Sequence, residues 1–458
     1  MVAQKVHPPW VKQEWERCRA DPVRFNRTIL KRHKLWTKQA SILESFQKYP
    51  VTLCKAGNSV GKSYALAAAA LHYLAMNPGA KVICTAPSHT QLREVLWANI
   101  VEAYNNCPYL LFDNARVTRS PDLKLEVSPT WFILAYSTTT AERFSGHHSA
   151  RLAVIVDEAS GVSREIFEAA DSLIPHRMLL IGNPLRPEGV FYERCLRAHQ
   201  TPGTNLITIK STESPDIVVP HSNRGLACKN WLEKCKMDYG VGSLWWQAHV
   251  EAEFPTSGSE VVVPQDWLNA CEHVIWTQSG PRRLGIDLST GSGNDKTVLV
   301  VRDDNGVLEL ISSNEWDMGE TARRAYELVT RFGIMPQHVV WDMPGIGMDF
   351  QHRLESVGIH GATGFQGQRY SGKIHANLKT ASYWNMRQRL DPGGAWPSRF
   401  SISPKYTKLL RPELSATRYI VDSSDRIAII PKEDIIASLG HSPDYADAIS
   451  MTFAYPNI

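Results

Sequence analysis

Several features that would quickly decide the class of this chain are missing. No Cys-x-x-Cys pair occurs among its eight cysteines, and the closest spacing, Cys228 to Cys235, fits no zinc pattern. Reduced core thiols in a cytosolic protein are the expectation. No apolar run approaches the roughly 18 residues that a membrane span needs, so no membrane association is expected. The opening MVAQKVHPPWVKQEWERC is polar and aromatic, which is not the pattern of a secretory signal. Internal repeats and low-complexity tracts are lacking too. Charge of one sign is scarce: 50 Lys and Arg against 46 Asp and Glu leave a net +4. That excess neither demands nor excludes nucleic acid, so any DNA-binding surface must be a local basic patch.

What is present is a globular profile, 43% hydrophobic and 21% charged. The 458 residues exceed what one core usually organises, so two domains are predicted. In the first half, VTLC, KVICTAP, FILAYS, LAVIVDE, MLLIG and NLITI read as strands. Helical patterns over 61–76, 91–105 and 163–173 separate most of them, which predicts an α/β fold with a mostly parallel sheet. From about 186 to 255 the pattern becomes loop-rich and helical. PTSGSEVVVP then has the composition of a linker, assigned to 256–280. A second α/β region over 281–458 begins with RRLGIDLS, KTVLVVRD and VLELISS. Asn305-Gly306 between the last two signals a hairpin. A helix over about 319–332, the strand HVVWD and a final helix in DYADAISMTFAY follow.

The stretch CKAGNSVGKSYALA lies between a predicted strand and a predicted helix. Ala56, Gly61, Lys62 and Ser63 match the phosphate-loop form [AG]-x-x-x-x-G-K-[ST]. Small residues there, with Gly57, Asn58, Ser59 and Val60 between, let backbone N–H groups turn onto phosphates. Lys62 would reach the β- and γ-phosphates, and Ser63 would hold Mg²⁺. In LAVIVDE, Asp157 would complete the metal shell and Glu158 would activate the attacking water. ATP hydrolysis is therefore predicted. Three further residues join as candidates. Gln39 stands before the first strand, where it reads an adenine edge or is a surface glutamine. Arg143, in TTAERFSGHHSA, stabilises γ-phosphate charge or is an ordinary surface arginine. Asn183, in MLLIGNP, senses the γ-phosphate or forms a turn beside Pro184.

The second half carries Asp287 and Asp342 at the ends of strands and Asp444 at the start of a helix. Asp447 lies on the same helical face, and Asp295 lies nearby. Brought to one sheet edge, such acids hold two Mg²⁺ or Mn²⁺ ions and cleave phosphodiesters. Their order is that of a ribonuclease-H-like nuclease domain.

These motifs together resemble one family, the large terminase subunits of tailed bacteriophages, over nearly the whole chain. The likeness rests on Ala56 to Ser63, the RFSG loop at Arg143, VIVDE, IGNP, the three separated aspartates and YGVGSLWWQAHVEAEFP. It implies an N-terminal P-loop ATPase of the additional-strand, catalytic-glutamate type over 1–255, with a lid or linker subdomain at about 186–255. It also implies a motor that threads double-stranded DNA into a procapsid through a portal, and a nuclease that cuts concatemeric DNA. The implied partners are the DNA, the portal protein and the small terminase subunit. The implied assembly is a ring on the procapsid, with a monomer in solution. The implied location is the cytoplasm of the infected bacterium, not the mature virion. Members of the family often carry an arginine early in the phosphate loop; Asn58 and Ser59 stand there instead, which moves that role to Arg143. The family's last acidic position is often an Asp pair; Asp444-Tyr445 stands here, so Asp447 would supply the second carboxylate. The competing readings are an ATP-dependent helicase or translocase whose second domain only binds nucleic acid, and a non-viral ATPase with a partner-binding domain.

Overall fold

In the computed structural model the apolar runs become strands. It describes residues 9–112, 115–119, 122–136, 147–219, 222–255, 260–289, 295–369, 372–394, 396 and 399–454. The chain divides into two compact units, Met1–Ser257 and Gly258–Ile458.

The first unit is built on β1 (Val51–Ala56), β2 (Lys81–Thr85), β3 (Arg116–Thr118), β4 (Leu123–Ser128), β5 (Trp131–Ala135), β6 (Leu152–Val156), β7 (Arg177–Gly182) and β8 (Thr204–Ile209). Among the described residues they form one sheet in the order β3-β4-β5-β2-β6-β7-β1-β8. The strands from β5 to β8 in that order pair in parallel, and β3 and β4 add an antiparallel edge. Every residue of β6 is buried, as expected for a parallel strand covered on both faces. The helix Lys62–Met76 crosses from β1 to β2. Its run AAAA lets it lie so close that everything from Ala65 to Met76 is buried. β7 stands between β1 and β6, which is the additional-strand arrangement of P-loop ATPases. β8 falls inside the stretch expected to form a lid, yet it pairs with β1 and belongs to the main sheet.

The second unit holds β10 (Arg283–Asp287), β11 (Thr297–Arg302), β12 (Val307–Ser313), β13 (Val339–Asp342) and β14 (Thr363–Phe365), in the order β12-β11-β10-β13-β14. The first three are antiparallel, with the hairpin at Asn305-Gly306, while β13 and β14 run parallel to β10. That is ribonuclease-H-like topology. The helix Asp444–Met451 packs across β10, β11 and β13. Gly285, in the middle of β10, permits the approach: a Cβ there would stand 2.3 Å from the Ala448 carbonyl oxygen. A small sheet joins β9 (Glu260–Val261), β15 (Arg418–Val421) and β16 (Ile427–Ile429).

The expected linker over 256–280 is corrected by these elements. β9 pairs with β15, and the helix Gln265–Glu272 buries Leu268 and Cys271. Val262 and Val263 are buried as well, so this stretch is part of the second unit's core. Residues 256–259 lie outside the described residues. All eight cysteines are free, and Cys228 alone is exposed. Among the described residues, no helix is long and apolar enough to cross a membrane.

Candidate active sites

The phosphate loop leaves β1 at Ala56 and enters its helix at Lys62. Ser59 (φ 55°) and Gly61 (φ 79°) take left-handed backbone conformations to make the turn, which Gly61 adopts without penalty. Lys62 and Ser63 thus open a fifteen-residue helix, where free N–H groups and the helix dipole favour an anion. The front of the loop is fastened from behind. Gly57 N–H donates to the Ile209 carbonyl (2.8 Å), and Asn58 N–H donates to the His249 carbonyl (2.7 Å). The Ser211 hydroxyl donates to the Asn58 carbonyl at 2.8 Å, and a Cβ on Gly57 would meet that hydroxyl oxygen at 2.4 Å. The half-buried Ser63, with Gly61, Lys62, Arg224 and Leu226, lines a cavity of about 370 Å³.

Gln39 is not the surface residue of its alternative reading, and it lines the same cavity. It is 2% exposed. Its Nε2 donates to the carbonyls of Val60 (3.3 Å) and Gly61 (2.9 Å), and its Oε1 accepts from Trp36 N–H (3.3 Å). The amide is engaged by backbone and braces the loop from beneath.

The strand ends beside the loop bring the other candidates together. Lys62 Nζ lies 2.9 Å from Asn183 Oδ1 and 3.1 Å from a Glu158 carboxylate oxygen. Asn183 is buried at the end of β7, and its Nδ2 donates to the Ala56 carbonyl at 2.7 Å. Asp157 is buried at the end of β6. Burial, then the Glu158 charge, push its carboxyl up to about 7, against the pull of Lys62. Glu158 sits at φ 48°, a strained conformation for a residue with a side chain. Gly182 keeps the crossing tight, since a Cβ there would meet Ala159 N at 2.8 Å. Arg143 lies outside the described residues.

In the second unit Asp287 ends β10 and Asp342 ends the parallel neighbour β13, one step beyond the pair Ile286–Trp341. Asp444 opens the last helix, and Asp447 follows one turn on. Asp444 Oδ2 accepts from Lys296 N–H at 2.7 Å. Burial and the charges of Asp447, Asp342 and Asp444 push Asp287 well above the usual carboxylate range. Burial and Asp447 push Asp342 up to about 6. Asp447 goes the other way. Burial alone would raise it, but Lys379, Lys432 and Tyr383 outweigh that and hold it low. Its oxygens take an ion pair from Lys379 (2.8 Å) and a hydrogen bond from the Tyr383 hydroxyl (2.7 Å), with Lys432 at 3.7 Å.

The acids therefore share one edge but are not drawn into a cage. Among the described residues no three or more His, Cys, Asp or Glu side chains are spaced to hold a metal ion. Two lysines stand among them and turn Asp447 toward themselves. The donor set still fits the expected ions: four carboxylates are hard oxygen ligands, the kind that Mg²⁺ and Mn²⁺ take. Asp295 is exposed; burial raises Asp444 above the usual carboxylate range, and the Asp295 charge adds a little.

No family model matches the chain. A curated protein described as a probable large terminase subunit of Enterobacteria phage P7 is 24% identical over 453 residues, covering 90% of this chain and 86% of its own. The chain is thus similar to a phage large terminase subunit over most of its length. Solved large terminases are similar at lower identity. That of a thermophilic bacteriophage, in complex with ADP, is 12% identical over 90% of this chain and 98% of its own, with a TM-score of 0.41. That of bacteriophage HK97 is 13% identical over 92% and 95%, at 0.38. The nuclease domain of the Sf6 subunit is 20% identical over 42% and 98%, at 0.37.

The sequence reading missed four residues of the acidic site: Lys379, Tyr383, Lys432 and Glu413. Glu413 is 1% exposed and accepts from Ala446 N–H at 2.8 Å, so it caps the helix that carries Asp444 and Asp447. Burial pushes its carboxyl up to about 8. Beside the phosphate loop the reading also missed Arg224, whose guanidinium donates to the Lys34 carbonyl at 3.1 Å.

Proposed function

We propose that the chain is an ATP-driven DNA-packaging motor with an attached metal-dependent endonuclease, the first unit hydrolysing ATP and the second cutting the DNA. The observation that carries this is Lys62. Its ammonium bridges Glu158 and Asn183, two strand ends that flank the phosphate loop. In this reading, an incoming γ-phosphate takes Lys62 and frees Glu158 to accept a proton from water. Ser63 and Asp157 would hold Mg²⁺, which supplies charge neutralisation on the phosphates. Asn183 would link the phosphate to β7, and Arg143 would add positive charge in the transition state. In the second unit Asp287, Asp342, Asp444 and Asp447 would hold one or two Mg²⁺ or Mn²⁺ ions, which supply the polarisation for phosphodiester hydrolysis. Lys379 and Lys432 neutralise the acids until then. The proposed partners are double-stranded DNA, a portal protein and a small terminase subunit, with a ring as the working assembly in the cytoplasm of the infected host.

A second reading, a translocase whose second unit binds nucleic acid without cutting it, has the Lys379–Asp447 pair on its side. One experiment decides between the two. The parent chain, Lys62→Ala and Asp287→Asn are assayed for ATP turnover and for plasmid nicking with Mn²⁺. Loss of turnover only in the first variant and of nicking only in the second is expected. A parent chain that leaves plasmid intact favours the second reading, and one without turnover overturns both.

A further inference from the structure

The strand β10 runs from Arg283 to Asp287, so its start lies about 13 Å from the acidic edge at about 3.3 Å per residue. A second, oppositely charged site is built at that start. Arg283 pairs across the ladder with Arg302, and Arg389 comes from the helix Leu378–Leu390. All three are over nine-tenths buried, and all three line a cavity of about 290 Å³ with Asn385, Gln388 and Trp396. Arg302 donates from Nε and Nη2 to Thr452, which caps the end of the Asp444 helix, at 2.6 and 2.5 Å. Arg389 Nε donates to the Asp304 carbonyl at 2.8 Å.

Three guanidinium groups stand beside two carboxylates, Asp303 and Asp304, so one positive charge is in excess. Asp304 pairs with Arg283 at 2.7 Å and with Arg302 at 3.7 Å, but its side chain is 38% exposed. Asp303 is fully buried and already accepts from Trp276 Nε1 and the N–H groups of Ser279, Asn305 and Gly306. Among the described residues that line the cavity, Asp304 is the one carboxylate beside three guanidinium groups. The Nε of Arg283 is buried without a hydrogen-bond partner. Burial and the nearby Arg283 hold Arg302 well below its ordinary value, as uncompensated positive charge does. At the rim Trp396 is 56% exposed, 4.9 Å from the Arg389 guanidinium, and offers a ring face for a base.

We propose that this arginine cavity binds a phosphate group, either of a nucleic-acid backbone or of a free nucleotide or inorganic anion. Guanidinium forks match phosphate oxygens in pairs, and several cations in one cavity suit a polyvalent anion better than a carboxylate. The inference does not depend on the second unit being a nuclease.

The test uses the full chain carrying Lys62→Ala and Asp287→Asn, so that the other two candidate sites are weakened equally in every sample. Inorganic pyrophosphate and a short DNA duplex are titrated separately by calorimetry in a chelating buffer. Arg283→Gln should weaken binding about tenfold. Asp304→Asn keeps an acceptor for Arg283 and removes the competing charge, so it should tighten binding about threefold. Opposite shifts with either probe support the cavity, and the responding probe names the source of the phosphate. Asp304→Asn stands as a test even where Arg283→Gln fails to fold. Binding of both probes unmoved by Asp304→Asn, or weakened by it, overturns the proposal.

Discussion

Asp287 and Asp447 sit in one acidic cluster but should respond oppositely to losing their charge. Asp287 is surrounded by like charges, so Asp287→Asn relieves repulsion and should raise the melting temperature of the metal-free chain by a few degrees, on the order of 1 kcal/mol. Asp447 is the partner of Lys379, and Asp447→Asn leaves that ammonium without its counter-charge. Breaking a buried pair in this way costs about 3 kcal/mol or more. Thermal melts in EDTA check both; the same sign for the two variants would refute the division of roles. At the other site, Glu158→Gln keeps the shape but not the base. Turnover should fall at least about a hundredfold while ATP still binds, and binding should tighten because Lys62 loses a competitor. Turnover and nucleotide titration measure the two effects. At this scale the sequence was informative where chemistry follows an apolar run. Asp157, Asp287 and Asp342 each end a buried strand, and that position alone marks them. Lys379, Tyr383, Lys432 and Glu413 were invisible because they arrive from helices and loops far along the chain. Nothing in their own neighbourhoods distinguishes them from surface or core residues. The burial of Gln39 was not legible because proximity in sequence does not say which way an amide faces.

The Asp444–Met451 helix depends on two features that belong to other elements. Glu413 caps its first turn, and Gly285 gives it room against β10. Gly285→Ala should push the helix outward, at a cost of about 1–3 kcal/mol for overpacking. DNA cutting should be lost and ATP turnover retained, since β10 and the helix lie in the second unit. Nicking and turnover assays on one preparation, with a melt to report the stability change, test this; retained cutting would mean that the helix need not lie flat. Long elements were legible in the sequence because their apolar periods are long. β3 and β4 were not: RVT is three residues, and LKLEVS alternates with charged side chains. β9 escaped because Pro, Ser and Gly just before it read as linker, although Val262 and Val263 behind it are core.

Across the whole chain, the buried acids set how stability depends on pH. Asp342 near 6, Asp157 near 7, Glu413 near 8 and Asp287 above its usual range all keep a proton when folded that they release near pH 4 when unfolded. Between about pH 7 and 8, where histidines are largely neutral in both states, the folded chain binds more protons than the unfolded one, so stability falls as pH rises. Asp447 adds no slope in this window, because its contribution is complete above about pH 4 and lost only in acid. Below that window the buried His72 and His375, and His176 and His338, whose folded pKa values burial lowers, pull the other way, so the comparison is made above it: the metal-free chain should melt lower at pH 8 than at pH 7. Mn²⁺ at pH 8 should recover part of the loss, because a bound cation favours the charged acids. Melts at both pH values with and without Mn²⁺ test this; a higher melting temperature at pH 8 without metal would place the acids in water.

The fastening of the phosphate loop has one more result. Asn58 hangs on the His249 carbonyl, and the His249 ring lies 4.4 Å from that of Trp245, which is stacked in turn on Tyr239 at 3.6 Å. The loop is thus wired to a column of rings with a buried indole at its centre. A phosphate that tightens the loop tugs on that column, and the indole's emission should change with the tug. The molecule would then carry a built-in optical gauge of its fuel state. Addition of ADP should alter tryptophan fluorescence in the parent chain, and Trp245→Phe should silence most of the signal without abolishing nucleotide binding.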